Sequence, residues 1–549
     1  MSCVLSRLPG VSGRRASRRS FVALSALAGL GLPVLAGCDL PGTSKDKAGA
    51  ASPSGPTASA KGSASAGAAK AGSTEWQKLD GHVMGHKVSV EVSPVVRQDD
   101  KTSYIAVKLT RASDDASVDA VDASSYSSKG NKLSISDYLG AAPFRAGTGA
   151  SLVKLLDTSS GRVWSAVDGS GLFLELAPGE DMTSYLSFGK VDTDTVTVMV
   201  PMAGFTTVSV LDANDAKKAK IDLSIAQAAL KQSSHAVPEL ADPVAIERYT
   251  RALDDSTSTH AGGKDITVTL ASDVTFASDS ADLAPGAEAQ LQTVATQLAQ
   301  HPDGGTLTIV GHTDDIQDDA YNQTLSEKRA NAVKTRLEQL TKLDKWKTSV
   351  SGKGESQPKI KDTTDEARAA NRRVEITLTP TGGTTAQKAA PSTGTLPEAK
   401  GPVAKGPDGV TVTVDGSKDQ VTITLDHVIR TGGYLLGQVQ TTTRATKNSI
   451  HNFDQWLEDK EMYHLNSRGE DASAGITEFA ADGLTLLAGN ERIYPADYLD
   501  AEFKAHVPLT ELGLIPSIKA GTITVCVVWP DPGGDTVTLD HAAPRKEIS

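Results

Sequence analysis

Cysteine is scarce in this chain. Its 549 residues hold three, at positions 3, 38 and 526, and neither a disulfide framework nor a cysteine metal site can be built from them. Cys526 falls in an alternating run, Thr522 to Val528, where an inert buried thiol is expected. Positive charge is also short: 55 Lys and Arg stand against 67 Asp and Glu, for a net charge of −12. That balance excludes nucleic acid as a partner, and excludes adhesion to anionic polymers by bulk charge. The apolar stretch from Val22 to Leu35 is shorter than the ~20 residues that span a bilayer. No serine or cysteine nucleophile stands at a recognisable motif, so no catalytic residue and no cofactor is assigned.

The length implies more than one domain, and the most informative stretch runs from Leu307 to Leu340. Leu307 and Ile309 alternate with polar neighbours, which predicts a half-buried strand ending in Gly311, His312, Thr313 and Asp314. After an acidic loop, a helix is predicted to open near Thr324, with Glu327 closing a capping box. Its apolar face is Ala330, Val333, Leu337 and Leu340. Asp314 then sits at a strand mouth and Arg329 in the first turns of the next helix, beside the positive end of its dipole. Both are expected to be at least partly exposed. Taken alone, the two residues also fit a surface ion pair. Asp314, Asp315, Asp318 and Asp319 lack the glycine and distal glutamate of a calcium loop and read as a solvated turn, so no metal is assigned. His312 reads as a turn residue, and nothing in the spacing of Glu355 and Glu375 marks them as a hydrolase pair.

A wider set of residues resembles the OmpA-like peptidoglycan-binding domain. It comprises Thr313-Asp314, Tyr321-Asn322, Leu325-Ser326, Arg329-Ala330, Gly352, Gly354-Glu355, Pro358 and Asn371-Arg372-Arg373-Val374-Glu375-Ile376. The resemblance covers about 264–380. Gln317 departs from it, standing where the family usually has glycine. It implies non-covalent binding of peptidoglycan through the diaminopimelate of a stem peptide. Asp314 would take the ammonium and Arg329 the carboxylate, for which a planar guanidinium fork is suited. Asn322 and backbone N–H groups would take the remaining carboxylate oxygen, and Arg373 would line the rim.

The leader carries two further resemblances. Ser17-Arg18-Arg19-Ser20-Phe21 is similar to a twin-arginine export motif, and Leu35-Ala36-Gly37-Cys38 to a lipobox. They imply a signal peptide over 1–37 and lipidation of Cys38. The product would be anchored in the cell membrane by lipid and face the extracytoplasmic side. Residues 38–75 read as a flexible Ala/Ser/Gly/Pro linker, 216–263 as a connector and 381–408 as a second linker. Between them lie 76–215 and 409–549, both mostly β, and 264–380, which reads as α+β with helices on one face of a sheet. The predicted fold is thus multidomain: a central two-layer α+β domain flanked by two sandwich-like β domains. The predicted function is a non-enzymatic tether between membrane and wall. Two alternatives stand beside it: a receptor or assembly lipoprotein whose β domains bind a protein or glycan, and a wall-targeted enzyme with an unrecognised catalytic domain.

Overall fold

The computed structural model describes residues 35–36, 70–83, 86–115, 133–134, 150–168, 175–232, 240–277, 279–384, 396, 398–399, 402–413, 420–444, 480–500, 505–512, 520–534 and 536–541. Cys38 and much of both low-complexity stretches lie outside the described residues.

Alternation of apolar and polar residues builds the central sheet from β1 (Arg248–Ala252), β2 (Thr257–Gly262), β3 (Asp265–Ala271), β4 (Gly305–Gly311), β5 (Trp346–Gly352) and β6 (Arg373–Pro380). Their order is β5-β4-β6-β3-β2-β1. Only β4 and β5 run parallel, the other neighbours being antiparallel. Four helices accompany the sheet: α1 (Ser272–Thr275), α2 (Ala287–Ala299), α3 (Asp319–Leu340) and α4 (Asp365–Asn371). A parallel pair needs a crossover, and α3 supplies it between β4 and β5.

Ile266, Val268, Leu270, Leu307, Ile309, Val374, Ile376 and Leu378 all face one side. There they pack against Leu291, Val294 and Leu298 of α2 and Ala330, Val333 and Leu337 of α3. Burying each such side chain contributes about 1.5–3 kcal/mol relative to leaving it in water. Thr267, Thr308, Thr377 and Glu375 line the opposite, half-buried face. This is a two-layer α+β arrangement, with helices on one face of a sheet.

Three features differ from expectation. Helix α3 opens at Asp319, not near Thr324, because the Asp318 carboxylate caps it by accepting from the Tyr321 N–H at 2.9 Å. The segment read as a connector, 216–263, supplies β1 and β2 to the sheet; its helix, Leu223–Gln232, lies where a short helix is expected between Ile221 and Leu230. The sheet then continues from β1 onto Glu491–Ile493, Leu484–Ala488 and Thr538–His541.

The third difference is that the two β-rich regions pack on one another. One hydrophobic core contains Trp164, Phe188 and Val198 from the first, and Leu425, Val439, Val525 and Trp529 from the second. Polar contacts cross the same boundary. Met202 N–H donates to Glu511 Oε2 (2.8 Å), Gln438 Nε2 to Ala203 O (3.3 Å) and His82 N–H to Thr524 Oγ1 (3.2 Å). Alternating strands specify a buried face without specifying what covers it, so this partnership had no signature in the sequence. Cys526 lies fully buried in this body, and burial pushes its thiol well above the ordinary range. Among the described residues, no helix is long and apolar enough to cross a membrane.

Candidate functional site

The site forms where the C-terminal ends of β4 and β5 meet the polar first turns of α3. Gly311 and Gly352 are partners across the two strands. A Cβ on Gly311 would lie 2.1 Å from the Ser326 carbonyl oxygen, and one on Gly352 would lie 2.3 Å from Ser326 Oγ. Glycine at both positions lets α3 rest directly on the strand ends. Ser326 Oγ accepts from the Gly354 N–H (2.9 Å), and Gly354 O accepts from the Thr313 N–H (3.0 Å). The loops after β4 and β5 are thereby tied together. Asn322, Ser326 and Arg329 fall on the buried face of α3 ahead of Ala330, Val333 and Leu337, so that face turns from polar to apolar along its length.

Asp314 leaves β4 at the mouth of this corner, with 13% of its side chain exposed. Its Oδ2 accepts from Arg372 Nη1 at 2.7 Å, and its Oδ1 takes only a long contact from the Ile316 N–H, 3.4 Å. Arg372 turns Nε and Nη2 onto Asp273 of α1, at 2.8 and 2.6 Å. These contacts, Asp273 first, hold the Arg372 guanidinium above its ordinary value against the opposing effect of burial.

Arg329 is buried, with 5% exposure, where partial exposure was expected. It stands in the third turn of α3 because the helix begins earlier than its apolar pattern suggested. Nε donates to Ser280 O at 2.9 Å, and the guanidinium lies 5.2 Å from the centre of the Phe276 ring. Arg329 forms no ion pair among the described residues. Burial lowers its pKa, opposed by the charges of Asp273 and Asp279, while Arg372 adds to the lowering. Asp314 and Arg329 therefore share one charged cluster, linked through Arg372 and Asp273. A groove of about 570 Å³ lies alongside, lined in part by Asp279, Ser280, Asp282, Tyr321, Leu325 and Lys328.

Two of the other candidates take structural positions. Asn322 is buried, and its Nδ2 is surrounded by Glu355 Oε2 (2.6 Å), Gln317 O (3.0 Å) and Asp314 O (3.1 Å). It holds the loop that presents Asp314, with its amide N–H groups engaged by oxygens of the protein. Arg373 is buried rather than at the rim. Its Nε donates to Glu375 Oε1 (2.7 Å), Nη1 to Asn371 O (3.2 Å) and Nη2 to Gln357 O (3.3 Å). His312 is buried with Nε2 3.7 Å from Glu375 Oε2, too long for a hydrogen bond. Burial works to raise the Glu375 carboxyl, yet the neighbouring His312 and Arg373 outweigh it and hold it below its ordinary value. The acidic turn is used within the protein, since Asp315 pairs with Arg368 at 2.7 Å and Asp318 caps α3.

A sequence model of the OmpA family matches residues 275–372, the segment that carries this corner. The chain carries an OmpA-family domain. Outer membrane porin F of Pseudomonas aeruginosa is 41% identical over 103 residues, covering 19% of this chain and 29% of the porin. Outer membrane protein A of Escherichia fergusonii is 40% identical over 119 residues, covering 20% of this chain and 48% of that protein. The chain thus spans less than half the length of these curated relatives. Among solved structures, the peptidoglycan-associated lipoprotein of Burkholderia pseudomallei aligns at 30% identity over 19% of this chain and 86% of that one, with a TM-score of 0.17.

Within the OmpA-family domain, the sequence marks Arg372 only as part of the Asn371-Arg372-Arg373 motif and does not mark Asp273. Arg372 and Arg373 are adjacent, and neighbouring residues at a strand entry project to opposite sides. The signal available was the half-buried Glu375 two positions on, which shares the side of Arg373 and binds it.

Proposed function

We propose that the OmpA-family domain binds peptidoglycan non-covalently at the Asp314–Arg329 corner, gripping the zwitterionic end of a diaminopimelate stem residue. One observation carries the reading: Arg329 is a buried guanidinium with no carboxylate partner among the described residues, and Asp314, joined to the same cluster through Arg372, keeps an accepting oxygen. An unpaired buried cation is costly, and a ligand carboxylate would offset that cost through the two terminal amino groups. Asp314 Oδ1 is suited to the ligand ammonium. Arg372 holds the other oxygen and keeps the carboxylate aimed. The OmpA-family relatives support the same reading.

The wider role follows from the leader. Lipid on Cys38 would anchor one end in the cell membrane while the domain grips the wall, making the chain a non-enzymatic membrane-to-wall tether on the extracytoplasmic side. Cys38→Ala should then release the protein from membranes or leave an unprocessed precursor, as fractionation and gel mobility would report.

Co-sedimentation of the full mature chain with purified sacculi tests the site. Arg329→Lys and Asp314→Asn keep most of the packing, whereas Arg329→Ala would also remove the contact over Phe276. Losing one charge-assisted contact costs about 1.5–3 kcal/mol, a weakening of roughly 10- to 100-fold. If both conservative variants stay folded by circular dichroism and sediment like wild type, the Asp314–Arg329 reading is wrong.

A further inference from the structure

Glu247, just before β1, and Asp497 meet in an isolated antiparallel bridge whose two N–H···O bonds are 2.7 and 3.1 Å. Residues paired in this way present their side chains on one face, so two carboxylates lie side by side. Each belongs to a hairpin that brings a histidine one diagonal step away. In β1–β2, Tyr249 pairs with His260, which sets His260 diagonal to Glu247. In the hairpin of Asp497–Asp500 and Ala505–Pro508, Leu499 pairs with His506, which sets His506 diagonal to Asp497.

The side chains close on one another accordingly. His506 Nδ1 is 3.0 Å from Asp497 Oδ1 and 3.5 Å from Glu247 Oε2. Ligand atoms of Glu247, Asp497 and His506 all lie within 4.8 Å of one another. His260 Nε2 is 2.5 Å from the same Glu247 oxygen, and the two histidine rings stand edge to face at 6.1 Å. Asp497 and His506 are buried, at 0% and 4% exposure.

The geometry points to a divalent transition-metal site of the zinc class, with Glu247, Asp497 and His506 as ligands and His260 as the outer residue that orients Glu247. Zinc holds nitrogen and oxygen ligands at about 2.0–2.2 Å in a tetrahedron, which places neighbouring donor atoms roughly 3.3–3.6 Å apart. His506 Nδ1 stands 3.5 Å from Glu247, within that spacing, and 3.0 Å from Asp497, a hydrogen-bond distance that a bound ion would widen by a few tenths of an ångström. Like charges directly opposite each other across a strand pair repel, and a divalent cation supplies the two positive charges that oppose them. An imidazole among carboxylates favours zinc over calcium or magnesium, which prefer larger all-oxygen shells. Hydrogen bonding of a ligating carboxylate by an outer histidine fixes its orientation, and water completes the fourth position.

No spacing motif announced this site, because its residues come from separate stretches of the chain. Glu247 precedes β1 and His260 lies on β2, where the central sheet continues onto C-terminal strands, while Asp497 and His506 belong to the C-terminal region. A bound metal would staple the sheet that carries the OmpA-family domain to the β body, outside the segment that carries the Asp314–Arg329 corner.

The test uses the tag-free full chain, stripped with a chelator and titrated with Zn²⁺ against a chromophoric competitor, and separately with Co²⁺. The expected result is one Zn²⁺ per chain, a raised melting temperature, and the intense visible bands of tetrahedral Co²⁺. Asp497→Asn and His506→Gln should each abolish stoichiometric binding, and His260→Gln should weaken it by about 10- to 100-fold. Wild type that takes up no stoichiometric Zn²⁺, or that gives only the faint bands of octahedral Co²⁺, overturns the proposal whatever the variants do. Folded variants that bind like wild type overturn it as well.

Discussion

Asp314 is held by Arg372, through a 2.7 Å hydrogen bond from Nη1 to Oδ2, and not by Arg329. The same guanidinium grips Asp273 with its other edge, so β4, α1 and the entry to β6 are joined at one side chain. Arg372 thereby aims the Asp314 carboxylate, and Arg329 remains without a carboxylate of its own among the described residues.

Arg372 is therefore a positioning residue, and its removal should separate binding from stability. The Arg372 side chain is 28% exposed, and partly exposed ion pairs stabilise by only about 0–1 kcal/mol each. For Arg372→Ala the expected loss of stability is below about 2 kcal/mol, while sacculus binding falls by about tenfold because Asp314 swings free. Arg372→Lys should restore part of the binding, since an ammonium reaches one carboxylate but cannot span both. Denaturant melts and sacculus co-sedimentation measured on the same preparations decide this, and unchanged binding by the alanine variant would refute the positioning role.

Gly352→Ala should destabilise the OmpA-family domain. The added methyl would lie 2.3 Å from Ser326 Oγ and 2.5 Å from the Glu327 backbone nitrogen, so α3 would have to lift from the strand ends. Overpacking of this kind costs about 1–3 kcal/mol. Gly382→Ala is the matched control, because nothing lies within 4 Å of its added methyl. Urea midpoints compare the two, and equal midpoints would show that the helix and strand ends are not in close contact.

Much of the central domain was legible because period-two patterns such as Ile266, Val268, Leu270 and Val374, Ile376, Leu378 name a buried face directly. The pairing of Asp314 with Arg329 as candidates came from a dense local motif. One local signal pointed to the wrong cap, and facts set by contacts distant in sequence were not legible. Asp318, rather than Thr324, caps α3, which moves Arg329 from the first turns to the third, and its burial comes from Ser280 and Phe276, more than forty positions earlier. Arg372 reaches across to Asp273, ninety-nine positions away. The common core of the two β regions depends on which apolar face meets which, and alternation alone leaves that open.

Glu511 should make the β body lose stability as pH rises. Burial is the dominant influence on its carboxyl and raises it to about 7, partly offset by the N–H groups of Met202, Cys526 and Leu512. With a folded value above the unfolded one near 4.5, the folded state holds the proton more tightly. The stabilisation is therefore complete below pH 4.5 and is lost as pH rises through about 7. The full swing is about 3 kcal/mol. Glu511→Gln should flatten the melting temperature between pH 5 and pH 8 and be the more stable protein at the upper end. Parallel pH profiles for the two proteins would show that Glu511 does not titrate in this range.

Asn322 offers the sharpest test of how the binding loop is held. Three oxygens surround its Nδ2, those of Glu355, Gln317 and Asp314, so a donor must occupy that position. Asn322→Ala leaves those acceptors without the donor and should cost about 1–3 kcal/mol. Asn322→Asp keeps the shape but places a carboxylate against two carbonyls and the Glu355 carboxylate, at about 3–5 kcal/mol near neutral pH. The near-isosteric change should thus be the more damaging one. Its pH dependence has a definite sign. Burial among oxygens raises the folded-state value of the introduced carboxyl above its unfolded value near 3.9, so the folded state gains protons relative to the unfolded state as pH falls, and stability recovers on acidification. The protonated carboxyl then supplies one O–H donor where the amide supplied two N–H groups. Urea melts at pH 7 and pH 4.5 should show the Asn322→Asp deficit shrinking at the lower pH, while the Asn322→Ala deficit stays constant. If Asn322→Asp matches wild type at pH 7, the amide nitrogen does not face these three oxygens, and the loop carrying Asp314 is held in another way.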